Sequence, residues 1–404
     1  MKHGYLSDYF VGVAAKVLSA VETDTTTSNQ HEYNGVSQLK QMFGTSKHTF
    51  NAKFIYLDDA DDDPITDSGF LTWYDARKAN PSRTEYRMYF PTNAASICAA
   101  PGDELFIGLC PDNSVLVIIS EKESTICNQL RWLFGIETSD NFLVRSNLDT
   151  EQDQLAFASR LVLEQVGVKI NGSAELFLDD MISKFGDHFP STRVFSEYAR
   201  STLPNVIPED NPDVVLMQWM DREESLFRTF EEYIISTRLI DGFANDVDGF
   251  FKFSLSAQNR RKSRAGFALE HHVEVLLKSR GISYDRTKIT ENNAKPDFIF
   301  PSISAYHDPC FEVNLLTMLG VKSSCKDRWR QVLSEANRIS DKHLLTLEAA
   351  ISTNQTEEMK SNHLQLVVPQ PLHNTYTFSQ RQWLMNISDF LEMVLFRQRA
   401  ATWQ

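Results

Sequence analysis

Apolar residues change their spacing along this chain, and a fold must accommodate both patterns. From about residue 8 to 121 they fall in short β-branched or aromatic runs separated by Gly, Pro, Asn and Asp: Tyr9 to Val21, Phe50 to Leu57, Phe70 to Tyr74, Glu85 to Phe90, Glu104 to Cys110 and Ser114 to Ile119. Such runs predict a small β-barrel or sandwich. Ser124 to Phe134 then sets Ile126, Leu130, Leu133 and Phe134 at helical spacing, a helix that closes the barrel.

Beyond it, Glu137 to Gln154 is polar and without periodicity, which predicts a linker. Helical patterns follow at Leu155 to Val166, at Ala174 to Phe185, and after Asn211-Pro212, where Asn supplies an N-cap and Pro the first helical residue. From Asn259 the order becomes helix (Ser263 to Ser279), strands (Asp297 to Phe300, Leu315 to Lys322), helix (Asp327 to Ile339), strands (His343 to Leu347, Leu364 to Val368) and a final helix (Ser379 to Gln398). That alternation predicts a mixed sheet flanked by helices. The expected class is α+β. Because 404 residues exceed one ordinary core, the expected division is a β-rich domain over 1–150, a linker and first helix over 151–172, and a second domain over 173–404.

Charge and composition narrow the function. Hydrophobic residues at 42% and charged residues at 23% fit a globular protein. The first residues lack a signal-peptide pattern and no apolar stretch approaches the roughly 20 residues of a membrane span, so a cytoplasmic protein without a membrane partner is expected. Cys98, Cys110, Cys127, Cys310 and Cys325 form no Cys-x-x-Cys pair, and free buried thiols are expected. A net charge of −14 disfavours phosphate binding in general, but the cations are concentrated at Arg260, Arg261, Lys262 and Arg264, at Lys322, Lys326, Arg328 and Arg330, and from Arg77 to Arg87.

Phosphodiester hydrolysis needs a nucleophilic water and stabilisation of growing negative charge, which carboxylate-held Mg²⁺ and a nearby lysine supply. Pro-Asp pairs occur at Pro111-Asp112 and Pro212-Asp213 as ordinary turns or helix starts. Pro296-Asp297 differs: it opens the strand Phe298-Ile299-Phe300, and Lys322 ends the apolar run that follows. An acid two residues before the lysine would share its face, but Gly320 stands there. Glu335, in the next helix, can supply the missing carboxylate if that helix folds back over the strand ends.

At this point the sequence resembles the EcoRII-like type II restriction endonucleases, of type IIE within the PD-(D/E)xK superfamily. The likeness lies in residues 256 to 345: Asn-Arg-Arg-Lys-Ser-Arg-Ala-Gly at 259–266, Lys-Pro-Asp-Phe at 295–298, Ala-Tyr-His-Asp at 305–308, and Val-Lys-Ser-Ser-Cys-Lys-Asp-Arg-Trp-Arg-Gln at 321–331. Weaker similarity continues to about residue 375, and the β-rich region resembles that family's effector domain, a DNA-binding pseudo-barrel. The resemblance implies a C-terminal restriction-endonuclease-like α/β domain with a mixed central sheet.

It also implies roles. Asp297 and Glu335 become Mg²⁺ ligands, Lys322 polarises the attacking water, Tyr306 lines the site and Glu270 orients a metal-bound water. Lys326, Asp327 and Arg328 become base readers, since Lys and Arg donate to guanine and Asp accepts from cytosine. The implied target in double-stranded DNA is CC…GG around a short centre, CCWGG or CCNGG, cut to leave 5′-phosphate ends. Arg260, Arg261, Lys262 and Arg264 contact phosphates or the central base pair, and Arg77, Lys78, Arg83, Glu85 and Arg87 contact effector DNA. A palindromic target implies a homodimer. A cytosine methyltransferase is expected in the same system without direct binding. The other readings are a catalytically inactive, sequence-specific DNA-binding regulator and a structure-specific repair nuclease.

Overall fold

In the computed structural model, residues 5–23, 31–59, 64–78, 84–170, 174–325 and 329–401 are described. The chain divides into two compact units, residues 1–169 with 350–352, and 170–349 with 353–404. The class is α+β, with a mixed sheet in each unit.

The first unit is built on eight strands: β1 (Gly12–Val17), β2 (Glu32–Asn34), β3 (His48–Leu57), β4 (Ile65–Asp75), β5 (Tyr86–Tyr89), β6 (Glu104–Leu109), β7 (Val115–Ser120) and β8 (Leu143–Arg145). They form one sheet in the order β2-β5-β4-β3-β7-β6-β1-β8, antiparallel except where β3 runs parallel to β7. The sheet curls. Tyr33 from one edge strand, Phe54 and Trp73 from the middle, and Ala14 next to the other edge bury into a single cluster. The helix Thr125–Phe134 covers the other face, capped by the Ser124 side chain, which accepts from Cys127 N, and its Phe134 ring meets Phe10 and Phe106. Burial from both sides explains why every residue of β6 and β7 is buried.

The polar stretch 137–154 is part of this unit rather than a linker. β8 pairs antiparallel with β1, and Phe142 is buried in the core. Arg145 donates to Phe134 O at 2.9 Å and to Asp153 Oδ2 at 2.7 Å. Three strand residues and one ion pair leave no periodicity to read. All five cysteines are free thiols, but only Cys127 and Cys325 are buried as expected; Cys98 and Cys110 are partly buried and Cys310 is exposed.

The second unit begins with helices. Asn211 caps the helix Pro212–Asp241, accepting from Asp213 N and Val214 N, and Pro212 opens it. Gly242, at φ +71, ends it in a conformation that costs other residues a Cβ clash. The chain returns in Val247–Ser279, capped by Asp246, which begins 16 residues before the expected start at Ser263. The pattern hides this start because Val247, Phe250, Phe251 and Leu255 are exposed. Phe195, Phe227 and Phe230 form an aromatic core with the preceding helices.

The second sheet comprises β9 (Asp285–Arg286), β10 (Phe298–Phe300), β11 (Thr317–Lys322), β12 (Lys342–Thr346) and β13 (Leu364–Val367), ordered β13-β12-β11-β10-β9. Strands β11, β12 and β13 are parallel, while β9 and β10 run antiparallel to their neighbours, so the sheet is mixed as expected. The final helical region is two helices, Phe378–Arg381 and Ile387–Ala401. Among the described residues no helix is long and apolar enough to cross a membrane.

Candidate active site

β10 and β11 bring the acid and the lysine together. With Phe298 opposite Leu319, Asp297 falls beside the end of β11, where its Oδ2 accepts from Val321 N at 2.7 Å and from Lys322 Nζ at 3.1 Å. The pair is half-buried. Both described side-chain hydrogen bonds of Asp297 use Oδ2.

Gly320 is where the commoner acid would stand. A Cβ built there meets Val332 at 3.0 Å and 3.2 Å and Leu344 at 3.5 Å, so the helix Trp329–Leu333 packs into the space a side chain would need. Gly320→Asp is therefore expected to lower stability by about 1–3 kcal/mol, the usual cost of overpacking, measured by denaturant unfolding. Wild-type stability would show that the strand and helix part easily.

Glu335 does not lie inside a helix as expected. The helix ends at Leu333, Glu335 N bonds Val332 O in the turn that follows, and Ala336 takes φ +49. The turn carries Glu335 inward: its Oε2 is buried with no hydrogen-bond partner among the described residues. Burial and the neighbouring Asp297 charge push its carboxyl up to about 7, opposed by Lys322 and Lys342. Arg338, which might have paired with it, donates instead to backbone carbonyls, including Ala305 O at 3.3 Å and Asp308 O at 2.6 Å.

Glu270, on the helix Val247–Ser279, feels the charges of Asp297 and Lys322. Burial and Asp297 raise its pKa, while Arg286, bonded to it at 2.7 Å, and Lys322 lower it. Tyr306 is buried, and its hydroxyl donates to the Glu291 carboxylate at 2.6 Å rather than to Asp297. Lys342, Arg286 and Glu291 are charged neighbours that the sequence reading missed. The available signal was their position: Arg286 pairs in register with Phe298, the residue after Asp297, and Lys342 opens β12.

The Asp297 charge opposes ionisation of both Glu270 and Glu335, and the Glu335 oxygen has no hydrogen-bond donor among the described residues. That donor set fits a hard divalent cation, which prefers oxygen ligands. Among the described residues no three Asp, Glu, His or Cys stand close enough to hold an ion by themselves, so water or substrate oxygens would complete its shell.

The basic clusters look different from their sequence. Arg264 is 7% exposed and binds the buried Glu224 through Nε at 3.1 Å and Nη2 at 2.8 Å. Arg261 pairs with Glu231 at 2.7 Å, and the Arg260 guanidinium lies over the Phe189 ring. Lys262 is exposed. On the first sheet, Arg87 binds Glu32 at 2.8 Å and Glu85 at 2.6 Å, and Arg77 also binds Glu85, while Lys78 is exposed. Tyr86 points the other way, stacking on Trp73 in the core. Arg83, Lys326, Asp327 and Arg328 lie outside the described residues.

Comparison with known proteins shows what this segment is similar to. Residues 227–391, the segment holding Asp297, Lys322, Glu335, Glu270 and Tyr306, match the family model described as EcoRII C terminal. Over 204 residues, half of each chain, the protein is 43% identical to the type II restriction enzyme EcoRII of Escherichia coli. The chain thus spans about half the length of that curated relative, and over this stretch it resembles an EcoRII-like type II restriction endonuclease. Two solved structures of metal-depleted Ecl18kI in complex with uncleaved DNA, modified in one case, align with TM-scores of 0.45 and 0.44 at 19% identity. They cover 57% and 56% of this chain and 86% of theirs.

Proposed function

We propose that this protein is a Mg²⁺-dependent type II site-specific endonuclease that hydrolyses double-stranded DNA at a CC…GG site of the CCWGG or CCNGG type, leaving 5′-phosphate ends. The observation that carries the reading is the Asp297–Lys322 pair with the buried Glu335 oxygen that has no hydrogen-bond partner among the described residues, within the segment matching the EcoRII C-terminal family. In this reading Asp297 and Glu335 hold Mg²⁺, whose chemistry is to polarise the scissile phosphate and acidify water. Lys322 orients the attacking water and offsets charge growing on the phosphate. Glu270 orients a further water, and Tyr306, held by Glu291, lines the site wall. Lys326, Asp327 and Arg328, next in sequence to this strand, read the C·G pairs. Of the basic cluster on the long helix, exposed Lys262 and half-buried Arg260 suit phosphate contact better than the interior Arg264.

A palindromic site calls for two active sites, and the hairpin of the two long helices supports a homodimer. Its tip exposes Leu239, Ile240, Val247, Phe250, Phe251 and Leu255, more apolar surface than a solvated hairpin needs. A cytosine methyltransferase would protect the host's sites without binding this protein. The cytoplasm, where that DNA is, is the proposed location.

The first unit is proposed to bind a second, effector copy of the site through Arg77, Lys78, Arg83, Glu85 and Arg87. Because the described arginines there are neutralised by Glu85 and Glu32, recognition by patterned donors and acceptors is favoured over simple phosphate attraction. If effector DNA relieves restraint, it must bind the active arrangement better than the restrained one. The full-length protein should then cut a two-site plasmid faster than a one-site plasmid, and an added cognate duplex should accelerate one-site cleavage. Equal rates in all three assays would make the first unit a simple tether.

A further inference from the structure

The helix Val247–Ser279 carries Glu270 and Glu274 one turn apart on one face, a spacing at which like charges repel. Arg286 of β9 reaches both. Its Nη2 donates to Glu270 Oε2 at 2.7 Å, and its Nη1 donates to Glu274 Oε2. The guanidinium lies over the ring of Phe298 at 5.1 Å and has little freedom to swing away.

The two carboxylates are not equivalent. Glu274 is saturated: it also accepts from Tyr284 Oη at 3.0 Å, from Arg193 Nη2 at 3.0 Å and from Lys278 Nζ at 2.9 Å. Glu270 has one described partner, Arg286, and that bond uses only Oε2. Glu274 is therefore the fixed anchor, Arg286 the arm, and Glu270 the group being aimed. The arm enters from the strand paired to β10, with Arg286 in register with the residue after Asp297, so Glu270 is referenced to the backbone that carries the central acid.

We propose that Arg286, anchored by Glu274, is a positioning residue that holds the Glu270 carboxylate at the Asp297–Lys322–Glu335 group, presenting Oε1 toward a divalent cation or its water. The proposal rests on the nuclease reading above. A planar guanidinium suits this task better than an ammonium, because it serves two carboxylates at once in fixed directions.

The test uses the full-length protein and Mn²⁺ as probe, with bound ion counted by loss of the free-Mn²⁺ paramagnetic resonance signal. R286M should weaken Mn²⁺ binding at least tenfold, as should E270Q. The double variant should be no weaker than E270Q alone, because Arg286 acts through Glu270. R286K, which keeps the charge and can serve one carboxylate, should fall between wild type and R286M, and it carries the test if R286M does not fold. Binding of a cognate duplex without metal should stay within threefold in every variant. If wild type cleaves DNA while R286M or R286K binds Mn²⁺ as wild type does, or if the R286M and E270Q losses multiply, the assignment of Arg286 falls and the nuclease reading stands. A wild-type protein that neither cleaves nor binds Mn²⁺ would overturn both.

Discussion

Replacing Lys322 by Ala is expected to lower Mg²⁺-dependent cleavage about 1,000-fold, the scale seen when a group stabilising transition-state charge is removed, while cognate binding stays within about tenfold. The split follows from geometry. Lys322 Nζ lies 3.1 Å from Asp297 Oδ2 at the end of β11, half-buried, where a phosphate gaining negative charge would feel it most. Ground-state binding spreads over many contacts, but in the proposed reaction this ammonium would act mainly when charge develops. A variant cutting within tenfold of wild type would remove Lys322 from the chemistry. Equal losses in binding and cleavage would make it a substrate contact.

Arg264→Ala is expected to destabilise the second unit by about 1.5–3 kcal/mol, the usual worth of hydrogen bonds to a charged group, because Glu224 loses one of its two guanidinium partners. Glu224 is fully enclosed, and Arg264 with Arg228 holds its carboxyl down to about 2. The sign follows: a lowered pKa contributes stability that is present above the unfolded value near 4.5 and lost as pH falls toward 2. At neutral pH the variant would leave the ionised carboxylate held by Arg228 alone of these two guanidiniums. Denaturant unfolding measures this directly. Wild-type stability combined with lost DNA affinity would return Arg264 to the DNA surface.

That contrast shows what a sequence can and cannot carry. Asp297 and Lys322 were readable as neighbours because each sits at the end of an apolar run short enough to be a strand, and two such strands pair. Glu335 was readable as a candidate, but its route into the site was not. Helical spacing suggested a helix to Ile339, whereas a turn after Leu333 swings the side chain inward. Arg264 and Arg260 share one run of basic residues, and only the angular position around the helix separates an interior ion pair from a partly exposed cation. The Arg286 arm was invisible for a different reason. Its two carboxylate partners lie only 12 and 16 residues before it, but the link crosses from a helix to an edge strand, and no single periodicity relates the two.

The central claim, a metal-dependent endonuclease specific for a CC…GG site, is tested most directly by incubating the full-length protein with Mg²⁺ and a plasmid of known sequence, then sequencing the product ends. The expected result is discrete fragments whose ends all map to one CC…GG motif and carry 5′-phosphates, with no cutting once EDTA is added. An intact plasmid that the protein binds at specific sites would make it a regulator rather than an enzyme. Ends scattered without a shared motif would make it a nuclease of a different kind.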